Sequence, residues 1–293
     1  MVHQPTTVRR HRRWQLSIGQ AVLYAVMTLI FLVTAYPFFY ILSLSVMPYE
    51  EYIRRAVHIG PAGFTLIYYQ AILSDPGLVR AFGISVLKTG IGTVLNVVVT
   101  AMAGYALSRQ LQLRRFLVVL FLIPMFIGGG LIPFYLVVRA LGLLNTFWAL
   151  ILPGLVGPYL LFVVRTYFQS YPHEVIESAL IDGANQWTIF WRIVWPTSTP
   201  ILATIALLYG TGHWNDFFWP NFLVQADLHP ASVALQNITA NRMQLARLGL
   251  VTNLTPQSLI AAVASVLIIP VLVIYPLLQR YVVQGILVGS LKG

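Results

Sequence analysis

Apolar runs long enough to cross a membrane recur along most of this chain. A spanning helix needs about 20 predominantly apolar residues. Six stretches meet that length, at roughly 19–46, 82–107, 116–138, 147–168, 199–219 and 258–278. The pattern predicts an all-α integral membrane protein with one six-span transmembrane domain over residues 19–278. Tails 1–18 and 279–293 lie outside it, and residues 48–81 and 220–257 form two long connections. A moderate helical period runs from Ser232 to Leu248 inside the second connection.

One polar-patterned stretch, Pro172 to Pro200, interrupts the apolar series in the connection 170–198. Proline suits the first helical position, so a helix is expected to start at Pro172, with Glu174 in its first turn at the positive end of the dipole. Val175, Ile176, Ala179 and Leu180 fall on one face, and Glu174, Glu177 and Ser178 on the other. Asp182-Gly183 ends the helix, because Gly183 is free to adopt the left-handed conformation of a C-terminal cap. Asn185 caps a second, tryptophan-rich helix that stops at Pro196. The expected object is two short helices joined by a glycine elbow.

Composition agrees with a membrane location: 58% of residues are hydrophobic and 9% charged, against about 25% charged in ordinary soluble domains. Cysteine is absent, which excludes disulfides and thiolate metal sites. The net charge of +10 would suggest nucleic acid in a soluble protein. Here its distribution records topology. With the N-terminus inside, eleven Lys and Arg fall in inner segments (Arg9, Arg10, Arg12 and Arg13 at the start, Arg109, Arg114 and Arg115 in one short loop) and six in outer ones. Lys88 is expected to snorkel from the outer end of the second span. The positive-inside rule then puts both termini and the 170–198 connection in the cytoplasm.

Spans three and four carry helix breakers: Pro124, Gly128-Gly129-Gly130 and Pro133 in one, Pro153-Gly154 and Gly157-Pro158 in the other. Broken helices can line a wet transport path, or small residues can serve close helix packing. Asn96 can bind substrate or hydrogen-bond a neighbouring helix. Asp216, in His213-Trp214-Asn215-Asp216, can hold a proton, a cation or sugar hydroxyls. The reading favoured for it is a cap at the interface, with Trp214 and Trp219 in an aromatic belt. Asn96, Gly129, Tyr159, Trp214, Asn215 and Asp216 are the candidate lining of a translocation path.

Signatures of catalysis are missing. No G-x-x-x-x-G-K-[ST] loop, H-E-x-x-H helix or G-x-S-x-G elbow occurs, and no His/Asp/Glu group has metal spacing. A regular chain of buried acids, as a proton-driven carrier would use, is also lacking. A transporter of this composition takes its energy from a partner chain. The competing class is a self-sufficient ion-coupled carrier, channel or membrane enzyme built on Asp216 and His213.

Glu177-Ser178-Ala179, then Asp182-Gly183-Ala184, Ile193 and Pro196, resembles the E-A-A-x-x-x-G signature of ABC importer permeases, with Ser178 in place of the usual alanine. Trp214-Asn215-Asp216, G-G-L-I-P at 129–133, G-L-L-N-T-F-W-A-L at 142–150 and the ending G-I-L-V-G-S-L-K-G look like the carbohydrate branch, on the side of the smaller maltose-type permease and of importers for uronate-containing sugars such as aldouronates and alginate. The resemblance implies a type I importer permease in the bacterial cytoplasmic membrane. It implies coupling of Glu174, Glu177, Ser178, Ala179, Asp182, Gly183 and Pro196 to an ATPase. It further implies a second homologous permease, two ATP-binding subunits that hold ATP and Mg, an extracytoplasmic solute-binding protein touching the 220–257 connection, and an oligosaccharide substrate. The tail Gln284 to Gly293 can reach the ATPase dimer on the same reasoning. A permease for a non-sugar solute, such as a peptide or polyamine, is the alternative within the class. Neither a catalytic residue nor a metal is expected in this chain, and nucleic acid is not an expected partner.

Overall fold

The computed structural model describes residues 18–54, 60, 63–247 and 256–290. Among these, no strand occurs. Helix α1 runs Ile18–Ser45, α2 Tyr49–Arg54 and α3 Ile67–Ser74. Helix α4 spans Pro76–Ser108. Asp75 caps it by accepting from the N–H groups of Gly77 (2.8 Å) and Leu78 (3.2 Å), with Pro76 in the first turn. That cap starts the second span at Pro76, ahead of the expected 82.

The third expected span, 116–138, is broken at the glycines that the sequence marks as helix breakers. It divides into α5 (Arg114–Phe126) and α6 (Leu131–Ala140), separated by a glycine run in which Gly130 takes φ +77°. The fourth is broken as its Pro-Gly pairs predict. Two 3₁₀ turns, Phe147–Leu150 and Leu152–Gly154, precede α7 (Pro158–Gln169) at an angle of 51°. Then come α8 (His173–Ile181), α9 (Gln186–Ile189), a π-helical turn over Phe190–Val194 and α10 (Trp195–Thr197). The chain turns by 82° into α11 (Thr199–Asn215), which ends short of the expected 219. Helix α12 (Pro220–Leu223), a 3₁₀ turn (Ala226–Leu228) and α13 (Ala231–Arg247) occupy the second connection, the last where the helical period lies. Helix α14 covers Pro256–Ser290, so residues 279–290 are helical.

Three of these helices are each long and apolar enough to cross a membrane, and two bent pairs bring the number to five among the described residues. The broken third stretch supplies no sixth. Arg9, Arg10, Arg12 and Arg13 lie outside the described residues.

Helix α4 is the axis of packing. It contacts α7, α11 and α13, while α14 packs against α11 and α1. Every fourth residue of α4 from Lys88 (Lys88, Gly92, Asn96, Thr100, Gly104) is buried, which places one stripe of small and polar residues along a single face. Gly104 lets α7 approach closely: a Cβ there would lie 2.8 Å from Val164 Cγ1 and 3.3 Å from the Arg165 backbone nitrogen. Gly92 makes room for His213, whose Nε2 would be 2.6 Å from an added Cβ. By contrast, α1 exposes Leu29, Phe31 and Val33, as a lipid-facing helix does.

The stripe begins in an ion pair. Lys88 Nζ donates to Asp216 Oδ2 at 2.7 Å, with the lysine side chain 0% and the aspartate side chain 24% exposed. Lys88 therefore does not snorkel to the surface. It ties α4 to the C-terminal end of α11. Asp216 also caps its own turn, accepting from Trp219 N–H at 3.3 Å, while its carbonyl accepts from Ser232 Oγ at 2.9 Å. Ser85 Oγ in turn accepts the N–H of Ala231 at the start of α13.

Removing either charge strands the other, and truncating one partner of such a pair costs about 2–5 kcal/mol. The two losses differ, because the ammonium is wholly buried and the carboxylate is partly wet. Asp216→Ala is expected to lower the thermal unfolding midpoint of the detergent-solubilised protein more than Lys88→Met does. The double change Lys88→Met/Asp216→Leu is expected to recover much of the loss. Equal effects of the two single changes would contradict the asymmetry of burial.

Candidate functional site

The 172–197 segment folds as two short helices around a glycine elbow. Pro172 stands at the N-cap of α8, one position outside the expected first helical residue. Gly183 takes φ +83°. The N–H of Gly183 donates to Leu180 O at 3.0 Å and that of Ala184 to Ala179 O at 2.9 Å, the paired bonds of a Schellman cap. Asn185 Oδ1 accepts from Thr188 N–H at 2.8 Å and starts α9. The second helix does not stop at Pro196. Its turns run to Thr197 and the break falls at the buried Ser198, because the proline sits in the first turn of α10, where its missing N–H costs little.

The apolar face of α8 is narrower than the sequence pattern suggests. Ile176 and Ala179 are buried, whereas Val175 and Leu180 are exposed. Ile176 and Ala179 join Ile189, Phe190 and Val194 in one cluster with Val97, Ala101 and Tyr105 of α4, Val164 and Phe168 of α7, and Ile201, Ile205 and Tyr209 of α11. The loop is thus packed into the same core as three long helices. Ala179 belongs to that core, on the apolar face where the helical pattern puts it.

Outward, the loop presents Glu174, Glu177, Ser178 and Asp182, all exposed. Among the described residues no cation pairs with these acids. Ser178 Oγ donates to Glu174 O at 2.7 Å within the helix, so its hydroxyl is already satisfied. Beside the carboxylates stand apolar groups that a lone solvated loop would not display: Ile181 is 86% exposed, Trp187 60%, and Leu180 and Val175 more than a third. Trp187, Trp191 and Trp195 follow each other at four-residue spacing, with ring centroids 5.7 and 4.9 Å apart. Exposed apolar surface rimmed by charge marks a docking face.

A cleft of about 410 Å³ lies where this loop meets the end of α4, lined by Tyr105, Arg109, Leu111, Gln186, Trp187 and Phe190 among others. Tyr105 Oη donates to Gln186 Oε1 at 2.8 Å, and the Arg109 guanidinium lies 4.7 Å from the centre of the Tyr105 ring.

The six residues assigned to a translocation path do not gather in one cavity. Asn96 hydrogen-bonds neighbours, donating to Gly154 O at 2.8 Å and standing 3.2 Å from His213 Nε2. Asp216 is engaged by Lys88. Gly129 lines an open cavity of about 640 Å³ with Phe134, Phe218 and Trp219, which joins the broken third span to the end of the fifth. Tyr159 and Asn215 are exposed. Trp214 donates Nε1–H to Leu267 O at 2.9 Å and lines a cavity of about 490 Å³ between α4, α11 and α14.

Two partnerships that matter here were not read from the sequence. That of Lys88 with Asp216 could have been found, since a lysine inside an apolar span needs a partner and Asp216 is the single acid within the six stretches. That of Tyr209 could not. Its Oη lies 2.8 Å from Thr100 Oγ1 and accepts the N–H of Gly157 at 2.8 Å, and one tyrosine among fifteen carries no such signal. No group of three or more His, Asp or Glu that could hold a metal occurs among the described residues.

Residues 107–288 match the family of binding-protein-dependent transport system inner membrane components, and the chain belongs to it. Protein LplC of Bacillus subtilis (strain 168) is 38% identical over 266 residues, 89% of this chain and 90% of that protein. The polygalacturonan/rhamnogalacturonan transport system permease protein YtcP of the same organism is 34% identical over 278 residues, 93% and 97% of the two chains. Among solved structures, a bacterial ABC transporter involved in the import of the acidic polysaccharide alginate superposes with a TM-score of 0.83 at 27% identity, covering 95% of this chain and 99% of that one.

The elbow yields a test of the local geometry. At φ +83° a side chain costs about 1–2 kcal/mol, and proline cannot adopt that angle at all. Gly183→Ala is expected to speed amide exchange across residues 173–190 by roughly tenfold. Gly183→Pro, which also deletes the N–H bound to Leu180, is expected to abolish protection there while leaving α4 and α11 protected. Unchanged exchange in both variants would remove the elbow from the account.

Proposed function

We propose that this chain, a membrane-spanning permease of a binding-protein-dependent importer, works as one of two homologous permease subunits driven by two ATP-binding subunits through the loop 172–197. ATP and Mg belong to those partner subunits, and an extracytoplasmic solute-binding protein delivers the substrate. The observation that carries this reading is the two-sided construction of the loop. Its inner side shares one core with α4, α7 and α11, while its outer side offers Glu174 and Glu177 beside exposed Leu180, Ile181 and Trp187. A partner that grips the outer side displaces long helices, because close-packed interiors transmit displacement instead of absorbing it. The 82° turn at Ser198 converts a push on α9 and α10 into a tilt of α11.

The substrate class proposed is an acidic oligosaccharide. Two similar proteins, one for polygalacturonan/rhamnogalacturonan and one for alginate, are described by acidic polysaccharides. The translocation path assigned to this chain is its polar interior and the cavity at Gly129, Phe218 and Trp219, with alternating access produced by movement of α11 against α4.

Glu177→Lys reverses a charge at the gripping surface. It is expected to abolish substrate-stimulated ATP hydrolysis by the assembled transporter, or the assembly itself, with membrane insertion intact. Normal transport by this variant would sink the assignment. The substrate is checked separately by ATP hydrolysis of the reconstituted complex with its binding protein. Alginate or oligogalacturonate fragments are expected to stimulate it at least tenfold more effectively than neutral malto-oligosaccharides, and the reverse order would reject the acidic class.

A further inference from the structure

A basic cavity adjoins the cleft at Trp187, sharing Gln110 and Leu111 with it. Its volume is about 600 Å³, and Gln110, Gln112, Arg114, Arg115 and Arg165 line it with Leu111 and Val118. Arg114 and Arg115 open α5, while Arg165 comes from the last turns of α7. Arg165 Nε donates to Leu107 O at 3.3 Å, which fixes the guanidinium beside the cavity it lines. With the Gln169 amide oxygen facing the cations, it accepts from Arg114 Nη2 at 2.5 Å and from Arg165 Nη2 at 3.2 Å. Two half-buried guanidinium groups are therefore held side by side on one neutral acceptor.

Among the described residues no carboxylate reaches Arg114, Arg115 or Arg165. Like charges brought together and partly desolvated are unfavourable unless an anion joins them. A loop that serves only to fix topology needs cations somewhere along its length, but it has no need to converge them from two helices. The N-terminus of α5 has no side-chain cap, so its N–H groups add to the anion-favouring field. The surroundings narrow the source of the anion. Directly beyond Arg115, α5 exposes Phe116, Val119, Leu120 and Ile123, an apolar strip that suits acyl chains and not an acidic protein segment.

We propose that Arg114, Arg115 and Arg165 bind the phosphate of an anionic phospholipid, with its acyl chains along the exposed face of α5. Basic pockets between membrane helices recognise such headgroups by charge, and the gain is roughly fivefold in affinity per cation near the surface. The bound lipid neutralises the pair and ties the start of α5 to the end of α7.

Native mass spectrometry of the whole transporter complex, released from detergent with added phosphatidylglycerol or phosphatidylcholine, tests this. The natural chain is expected to retain phosphatidylglycerol in preference to phosphatidylcholine. Arg114→Gln/Arg165→Gln is expected to reduce that retention by about tenfold or more. Arg114→Lys/Arg165→Lys, which keeps both charges, should preserve most of it. Equal retention of the two lipids, or of phosphatidylglycerol by the natural chain and the Gln variant, would overturn the proposal. So would a Gln variant that keeps its lipid and loses the ATP-binding subunits, since the cavity would then belong to a protein partner. Subunit content and ATP hydrolysis are read on the natural complex in the same sample, so a failure of the coupling reading registers there without altering the lipid count.

Discussion

A fully buried ammonium group fixes the interior of this protein. Lys88 sits inside an apolar helix and can remain charged only against an opposite charge. Asp216 meets it from the end of α11. Once those two atoms are joined, the register of α11 on α4 is set, and the rest of the stripe follows. His213, almost one turn back from Asp216, meets Asn96 over the bare backbone of Gly92. Tyr209, one turn further back, meets Thr100. The same side chains repair the break in the fourth span: Asn96 takes up the Gly154 carbonyl and Tyr209 the Gly157 N–H, groups that the Pro-Gly pairs release from helical bonding. The broken backbone and the polar stripe are thus two halves of one arrangement, and neither could persist in lipid without the other.

This arrangement reaches the coupling loop through shared neighbours. Tyr209 lies in the stripe and also in the cluster that holds Ile176, Ala179 and Phe190. Under the proposed coupling, a force on the loop acts on α11 at one end, and the Lys88–Asp216 pair resists it at the other. Helix α11 is held by packing at its base and, towards its tip, by Tyr209, His213, Trp214 and the Lys88–Asp216 pair. In the proposed alternating access the pair breaks or moves as a unit. Paired charges suit that role because they specify position more than they contribute net stability.

Much of this was legible in the residues, and the reason differs from place to place. The glycine elbow was legible because φ near +83° admits little but glycine, and the Asn185 cap because its side chain replaces a missing backbone partner. The break in the fourth span followed from two Pro-Gly pairs. The third span divides at Gly128-Gly129-Gly130, already legible as helix breakers because three consecutive glycines favour no single backbone conformation. Helix α4 read as starting late because Pro76 was taken for a loop residue when Asp75 makes it a helix start. The face of α8 was misjudged at Val175 and Leu180 because a helical wheel gives direction and not the width of the surface that covers it. The stripe Lys88, Gly92, Asn96, Thr100, Gly104 was present in the sequence at strict four-residue spacing, and it passed unnoticed because each member alone has an ordinary explanation.

The two kinds of cation in the chain show how the surrounding medium decides what a charge does. Between lipid-exposed helices no hydrophobic force favours association, so polar and small residues supply the specificity of contact. Lys88 belongs to that interior glue, and its counter-charge comes from within the chain. Arg114 and Arg165 stand where helix, loop and headgroup layer meet, and there the chain supplies only a glutamine between them. Eight acids serve a protein with eighteen basic side chains. Asp216 goes to the buried pair, and Glu174 and Glu177 stand exposed on the loop. Among the described residues no carboxylate reaches the arginine pair, and the lipid proposal gives that place to an anion of the membrane.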